Sequence, residues 1–163
     1  MKWISPSLHH PGGMQSFVRF SVPCETARLT RRPAFPRHPF GMPLVETLER
    51  FIARVEENAH AEAIEEFYTP DASLRENQGV PRVGRDAHVA HERRVFARAK
   101  SVSSKCVRPA FVEGDHTVIR WVFHFEWLDG TAMHMEEVAC QRWEGERIAE
   151  ETFFYDPAQR VPR

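Results

Sequence analysis

The chain has 163 residues, enough for one domain with its own core. Basic and acidic side chains nearly cancel, 22 against 23, which excludes a dedicated nucleic-acid binder, and no apolar run approaches the ~20 residues of a membrane span. Cys24, Cys106 and Cys140 are odd in number and lack CxxC spacing, so they argue for a reduced, cytoplasmic setting over a disulfide scaffold.

Residues 1–41 are rich in Pro and Arg and carry one acidic residue, Glu25. Proline at this density blocks helices and sheet ladders, so the segment reads as a disordered tail, with Met42 as the expected natural start. From Pro43 to Glu57, Leu44, Leu48, Phe51, Ile52 and Val55 recur at three- and four-residue steps and predict an amphipathic helix. A second helix is expected over Ala61–Tyr68, ended by Thr69-Pro70-Asp71. Ala72 to Asn77 reads as a short strand and Gly79 to Gly84 as a loop. Asp86 is the expected cap of a third helix reaching Ala99. Ser101–Val112 reads as a strand, followed by a turn at Glu113-Gly114-Asp115. The domain is expected to span 42–157, with 158–163 a short tail.

Residues 117–155 read as a meander of three strands. Thr117 to Trp127 is dense in β-branched and aromatic residues, and Asp129-Gly130 suits a tight hairpin turn. A second strand is expected from Thr131 to Arg142, a turn at Glu144-Gly145, and a third strand from Arg147 to Tyr155. A two-residue turn at Asp129-Gly130 sets His124 opposite Met135 and Glu126 opposite Met133. One face then carries Val122, His124, Glu126, Met133, Met135, Glu137 and Ala139. The other carries Trp121, Phe123, Phe125 and Trp127. Neither face is plainly polar, so both are expected to be covered. Helices followed by antiparallel strands make an α+β fold.

Several ionisable residues are candidates for chemistry. Glu76, against an apolar wall, is expected to have a raised pKa and to serve as a base. His124, Glu126 and Glu137, if they share a face, can relay a proton or hold an internal ion-pair network. His91 is the expected polar group from the third helix. Tyr68 and Tyr155 are the two tyrosines; a bulged turn at Gly145 brings Tyr155 to the face of Glu151 and Phe153. Cys106 and Cys140 read as small core residues, Cys140 at the interface side. No metal site is expected.

The element order, with Phe67-Tyr-Thr-Pro-Asp-Ala72, Gly84-Arg-Asp-Ala87, Trp143-Glu-Gly-Glu-Arg-Ile148 and Phe154-Tyr-Asp156, resembles the SnoaL-like domains of the nuclear transport factor 2-like superfamily over roughly residues 43–157. The resemblance implies a cone-shaped, curved antiparallel sheet with three helices on its concave face, an apolar pocket between them, and a homodimer through the convex face. The resemblance implies a pocket lined by Phe51, Tyr68 and His91, by Val122, Met133, Met135 and Ala139 on the hairpin arithmetic above, and by Phe153 and Tyr155 if the turn at Gly145 is bulged. Glu76, His124, Glu126 and Glu137 act in it, and Trp121, Phe123, Phe125 and Trp127 form the dimer interface. The carboxylate base of the ketosteroid isomerase relatives falls on Glu76. Their oxyanion donors fall on Ile52 or Phe51 and on Ala139, so both donors are missing. The family implies binding of a small hydrophobic, carbonyl- or ring-containing metabolite with cofactor-free acid/base chemistry, or a non-catalytic binding or dimerisation module.

Overall fold

The computed structural model describes Pro43 and residues 45–161; the expected tail and the start at Met42 lie outside the described residues. Two helices come first, α1 (Val45–Glu56) and α2 (His60–Phe67). They are followed by β1 (Tyr68–Glu76), a two-residue β2 (Arg82–Val83) and α3 (Arg85–Phe96). Four long strands complete the domain: β3 (Ala99–Glu113), β4 (His116–Trp127), β5 (Ala132–Glu144) and β6 (Arg147–Phe154). The sheet runs β2-β1-β6-β5-β4-β3, curved and not closed. It is mixed: β1 runs parallel to β6, and every other pair is antiparallel.

The apolar stripe read in α1 is the buried one, comprising Leu48, Phe51, Ile52 and Val55. Phe51 is the hub between helices and sheet. Its ring meets Phe67, Trp121 and Trp143 edge-on at 5.6, 6.4 and 6.1 Å, the geometry that aromatic quadrupoles favour. Strand β1 begins directly where α2 ends, four residues earlier than expected. Pro70 is tolerated there because pairing with β6 is interrupted between Tyr68 and Ser73. The N-cap of α3 is Gly84, at φ +107°, and not Asp86, which sits exposed in the first turn beside Arg85. Buried His88 ties α3 to β1, donating from Nε2 to the Ala72 carbonyl at 3.2 Å.

The β4–β5 hairpin corrects the expected register. Gly130 N–H donates to the Trp127 carbonyl at 3.1 Å and Trp127 N–H to the Thr131 carbonyl at 2.8 Å. Leu128 and Asp129 are therefore the turn's central residues, and Gly130, at φ +87°, is the left-handed bulge of a three-residue loop. Asp129 braces it, accepting from Thr131 N–H at 3.0 Å and from its hydroxyl at 2.6 Å. The loop is one residue longer than a two-residue turn, so every pair slips by one. Trp121 faces Glu137, Phe123 faces Met135 and Phe125 faces Met133. A one-residue slip moves a strand's whole side-chain set to the other face. The aromatic row is thus on the concave face, buried under the helices, and Trp121, Phe123, Phe125 and Trp127 are core residues unavailable to a partner subunit. Val122, His124 and Glu126 lie on the convex face.

The last hairpin turns at Gly145-Glu146, with Glu144 opposite Arg147. Its bulge is not in the turn but at Ala149, between the pairs Trp143–Ile148 and Arg142–Glu150. The expected consequence holds by this other route: Glu151, Phe153 and Tyr155 all reach the concave side.

Candidate functional site

Between the concave face and the helices lies a cavity of about 170 Å³, open on one side. Its walls are apolar: Phe51 and Val55 of α1, Ile64 of α2, Trp121, Phe123 and Phe125 of β4, and Met133 and Met135 of β5. Polar groups enter from four directions. Glu137 comes from β5, Glu151 and Tyr155 from the β6 side, Tyr68 and Glu76 from β1, and His91 and Glu92 from α3.

Glu151 is held by a directional hydrogen-bond chain. Trp143 Nε1–H can only donate, and it donates to Thr117 Oγ1 at 3.0 Å. The Thr117 hydroxyl must then donate onward, to Gln141 Oε1 at 2.6 Å. That fixes the Gln141 amide, which donates from Nε2 to Glu151 Oε1 at 2.7 Å. The Tyr68 hydroxyl donates to Glu151 Oε2. All of these side chains except the cavity-facing edge of the pair are sealed from solvent. Burial pushes the Glu151 carboxyl up to about 7, although the hydrogen bonds from Tyr68 and Gln141 pull the other way.

Glu137 differs. It is 7% exposed, lines the cavity, and has no hydrogen bond or ion pair among the described residues. Burial pushes its carboxyl up to about 8, and the neighbouring carboxylates of Glu151, Glu76 and Glu92 act in the same direction. An acid that titrates near neutrality and has both oxygens uncommitted can give or take a proton on a bound molecule.

Glu76 is corrected from the expected base. It sits at the mouth, where Tyr155 OH donates to Oε2 at 2.6 Å, Arg82 approaches Oε1 at 3.1 Å and Arg160 pairs with Oε2. Burial alone raises it, but the Tyr155 hydrogen bond and the two guanidinium charges outweigh that and leave it below the usual carboxylate range. A clamped, ionised carboxylate orients its neighbours and is a poor base at neutral pH. Arg160 reaches it from a short 3₁₀ turn, Pro157–Arg160, within what read as a featureless tail. Gln159 pins that turn to β5, accepting from Glu136 N–H at 2.6 Å.

The structure therefore brings together Glu137, Glu76, Tyr68, His91, Met133, Met135, Phe51, Phe153 and Tyr155 at the cavity. His124 and Glu126 are excluded: the slipped register turns them outward, where Glu126 accepts from Ser101. Val122 is likewise on the outer face, and Ala139 is fully buried beside Ile119 and Phe153 without reaching the cavity. Arg82 and Arg160 were missed, since loop and tail residues carry no periodic signal; Glu92, on α3, was not read as a cavity residue. Glu92 is approached by His60 of α2, whose Nδ1 lies 3.7 Å away. Among the described residues no group of three or more His, Cys, Asp or Glu side chains has metal-binding geometry, and no helix is long and apolar enough to cross a membrane.

The SnoaL-like domain family matches residues 48–151, well over half of the chain. The chain belongs to the SnoaL-like family. Solved structures share its nuclear transport factor 2-like fold. A candidate SnoaL-like polyketide cyclase from Mesorhizobium loti aligns over 70% of this chain and 100% of its own, with 21% identity and a TM-score of 0.59. A protein of ketosteroid isomerase-like fold from Catenulispora acidiphila, in complex with trimethylamine, covers 71% of this chain and 88% of its own, with 19% identity and a TM-score of 0.60. An LEH-like epoxide hydrolase from M. tuberculosis covers 71% of this chain and 84% of its own, with 12% identity and a TM-score of 0.59. At these identities the likeness is one of fold. No curated protein matches the sequence significantly. Ile52 or Phe51 and Ala139, the positions on which the isomerase donors were expected to fall, are apolar and buried.

Proposed function

We propose that the cavity binds a small hydrophobic metabolite with a ring or carbonyl group and that Glu137 moves a proton on it without a cofactor. Isomerisation, cyclisation, hydration and dehydration all need such a step. The observation that carries the reading is the Glu137 carboxyl, buried at an aromatic wall with no protein partner among the described residues and titrating near neutral pH. Glu151, locked by Tyr68 and Gln141, keeps a second acid beside it and supports its raised pKa.

A specific observation favours a second reading, a binding module without turnover. Both tyrosine hydroxyls at the cavity already donate, Tyr68 to Glu151 and Tyr155 to Glu76, so an oxyanion finds few free donors. One experiment separates the two. Acetophenone and α-tetralone are incubated with the protein in D2O, and exchange of the carbon-bound α-hydrogens is followed by NMR. The enzyme reading expects exchange above buffer, falling roughly 10²-fold or more in Glu137→Gln. Binding without exchange supports the module; a folded protein that binds neither ketone overturns the cavity assignment.

We also infer a homodimer through the convex face. Phe111, Val118 and Phe154 lie there with exposures of 63%, 37% and 44%, alongside partly buried Val138 and Cys140. An outward apolar patch of this kind suits a second copy of the sheet. Sedimentation equilibrium should return twice the chain mass, and Phe111→Glu should return one; a monomeric parent at micromolar concentration would sink the idea. The unpaired thiols of Cys106 and Cys140 suit a reducing cytoplasm.

A further inference from the structure

Glu137 is set among aromatic faces. Trp121 is its direct cross-strand neighbour on β4, stacked on Phe123 at 5.9 Å and met edge-on by Phe51. From β6, Phe153 lies on the same face, and Tyr155 follows it into the cavity. Two arginines line the cavity, Arg82 and Arg160, and both are engaged by Glu76 at the mouth. The other groups around Glu137 include three acids, Glu151 from β6, Glu76 from β1 and Glu92 from α3; the opposing groups are Arg160, Arg82 beside Glu76, His91 of α3 and His60 of α2. Such a recess has an excess of carboxyl groups and walls of π-electron density. A neutral ring compound uses the walls and leaves the acids uncompensated. An organic ammonium uses both, because aromatic faces attract cations and a buried carboxylate needs a countercharge.

We propose that the ligand of this cavity is a hydrophobic amine, bound as its ammonium with the nitrogen between the Trp121 face and the Glu137 carboxylate. The inference rests on the cavity being the functional site and narrows its ligand class. In the free protein Glu137 keeps its proton at neutral pH. The arriving ammonium makes the ionised form favourable, and the proton leaves to solvent. The acid thereby becomes a carboxylate base only when the ligand is present.

Titration calorimetry on the full chain tests this with benzyltrimethylammonium, whose charge is permanent, against acetophenone as the neutral ring ligand. The ammonium is expected to bind about tenfold more tightly per pH unit between pH 6 and 8, levelling above that. At pH 7, buffers of different ionisation enthalpy should report about nine-tenths of a proton released per ammonium bound, set by a carboxyl at about 8. Glu137→Gln should remove most of the proton release and of the pH dependence between pH 7 and 8, leaving at most the share of Glu151. Trp121→Leu should weaken the ammonium more than acetophenone. Ammonium affinity that is equal at pH 6 and 8, or acetophenone binding more tightly than the ammonium at pH 8, overturns the amine inference and leaves the cavity reading standing. Binding of neither probe by folded protein removes both.

Discussion

Glu137→Gln should make the protein more stable than the parent at pH 9 while leaving it nearly unchanged at pH 4. Below its ordinary value of 4.5 the Glu137 carboxyl is protonated in the folded and unfolded chain alike, so it contributes no pH dependence. Between 4.5 and about 8 the unfolded chain releases that proton and the folded chain holds it, so stability falls as pH rises. Above 8 the loss is complete. At ~1.4 kcal/mol per pKa unit, a rise of this size corresponds to about 5 kcal/mol. The glutamine amide does not titrate, and its shape is nearly that of the neutral acid. The variant therefore escapes the decline, apart from the share due to Glu151, which carries the same sign over a window ending near 7. Urea unfolding of parent and variant at pH 4, 7 and 9 measures it. Equal midpoints at pH 9 would mean that Glu137 is solvated and not the buried acid described above.

The second large effect is expected at Trp143. Its side chain is fully buried, packed edge-on against Phe51, and it starts the hydrogen-bond chain that ends on Glu151. Trp143→Ala should cost roughly 3–5 kcal/mol through the void it leaves. Trp143→Phe retains most of the volume and loses the indole donor, so it should cost about 1–3 kcal/mol. The phenylalanine variant has a further consequence. Without the indole N–H the Thr117 hydroxyl is free to turn, and the orientation of the Gln141 amide is then held only by the Glu151 carboxylate that accepts from it. Chemical denaturation gives both energies. An alanine variant within about 1 kcal/mol of the parent would refute the packing account.

Much of the architecture was legible because it rests on local patterns. The stripe of α1, the order of the long elements and the hairpin turns to within a residue follow from periodicity and from Gly, Pro and Asp placement. The β4–β5 faces were misjudged for one reason: Asp129-Gly130 is compatible with a two-residue turn and with a three-residue loop, and the shorter was assumed. A better signal was present. Trp121, Phe123, Phe125 and Trp127 alternate with Arg120, Val122, His124 and Glu126, three of them polar, and that alternation favours the aromatics as the core side. Met133, Met135 and Glu137 reached the cavity as expected, but beside different partners. The state of Glu76 was not legible at all. It depends on Arg160, 84 positions away, and a carboxylate's pKa follows its neighbours in space and not in sequence.

The parallel pairing of β1 with β6 joins the first strand of the domain to the last, and the Tyr68–Glu151 hydrogen bond spans 83 positions. On the ribosome this sets an order of events. The β3–β4–β5 meander is built from neighbours and can close as it emerges, whereas β1 has no long partner until β6 is made. Through the synthesis of about 80 residues, at roughly 5–20 per second, β1 waits for the long strand that pairs with it. The same long-range seam completes the cavity, so the cavity has its full lining only once the final strand has been made.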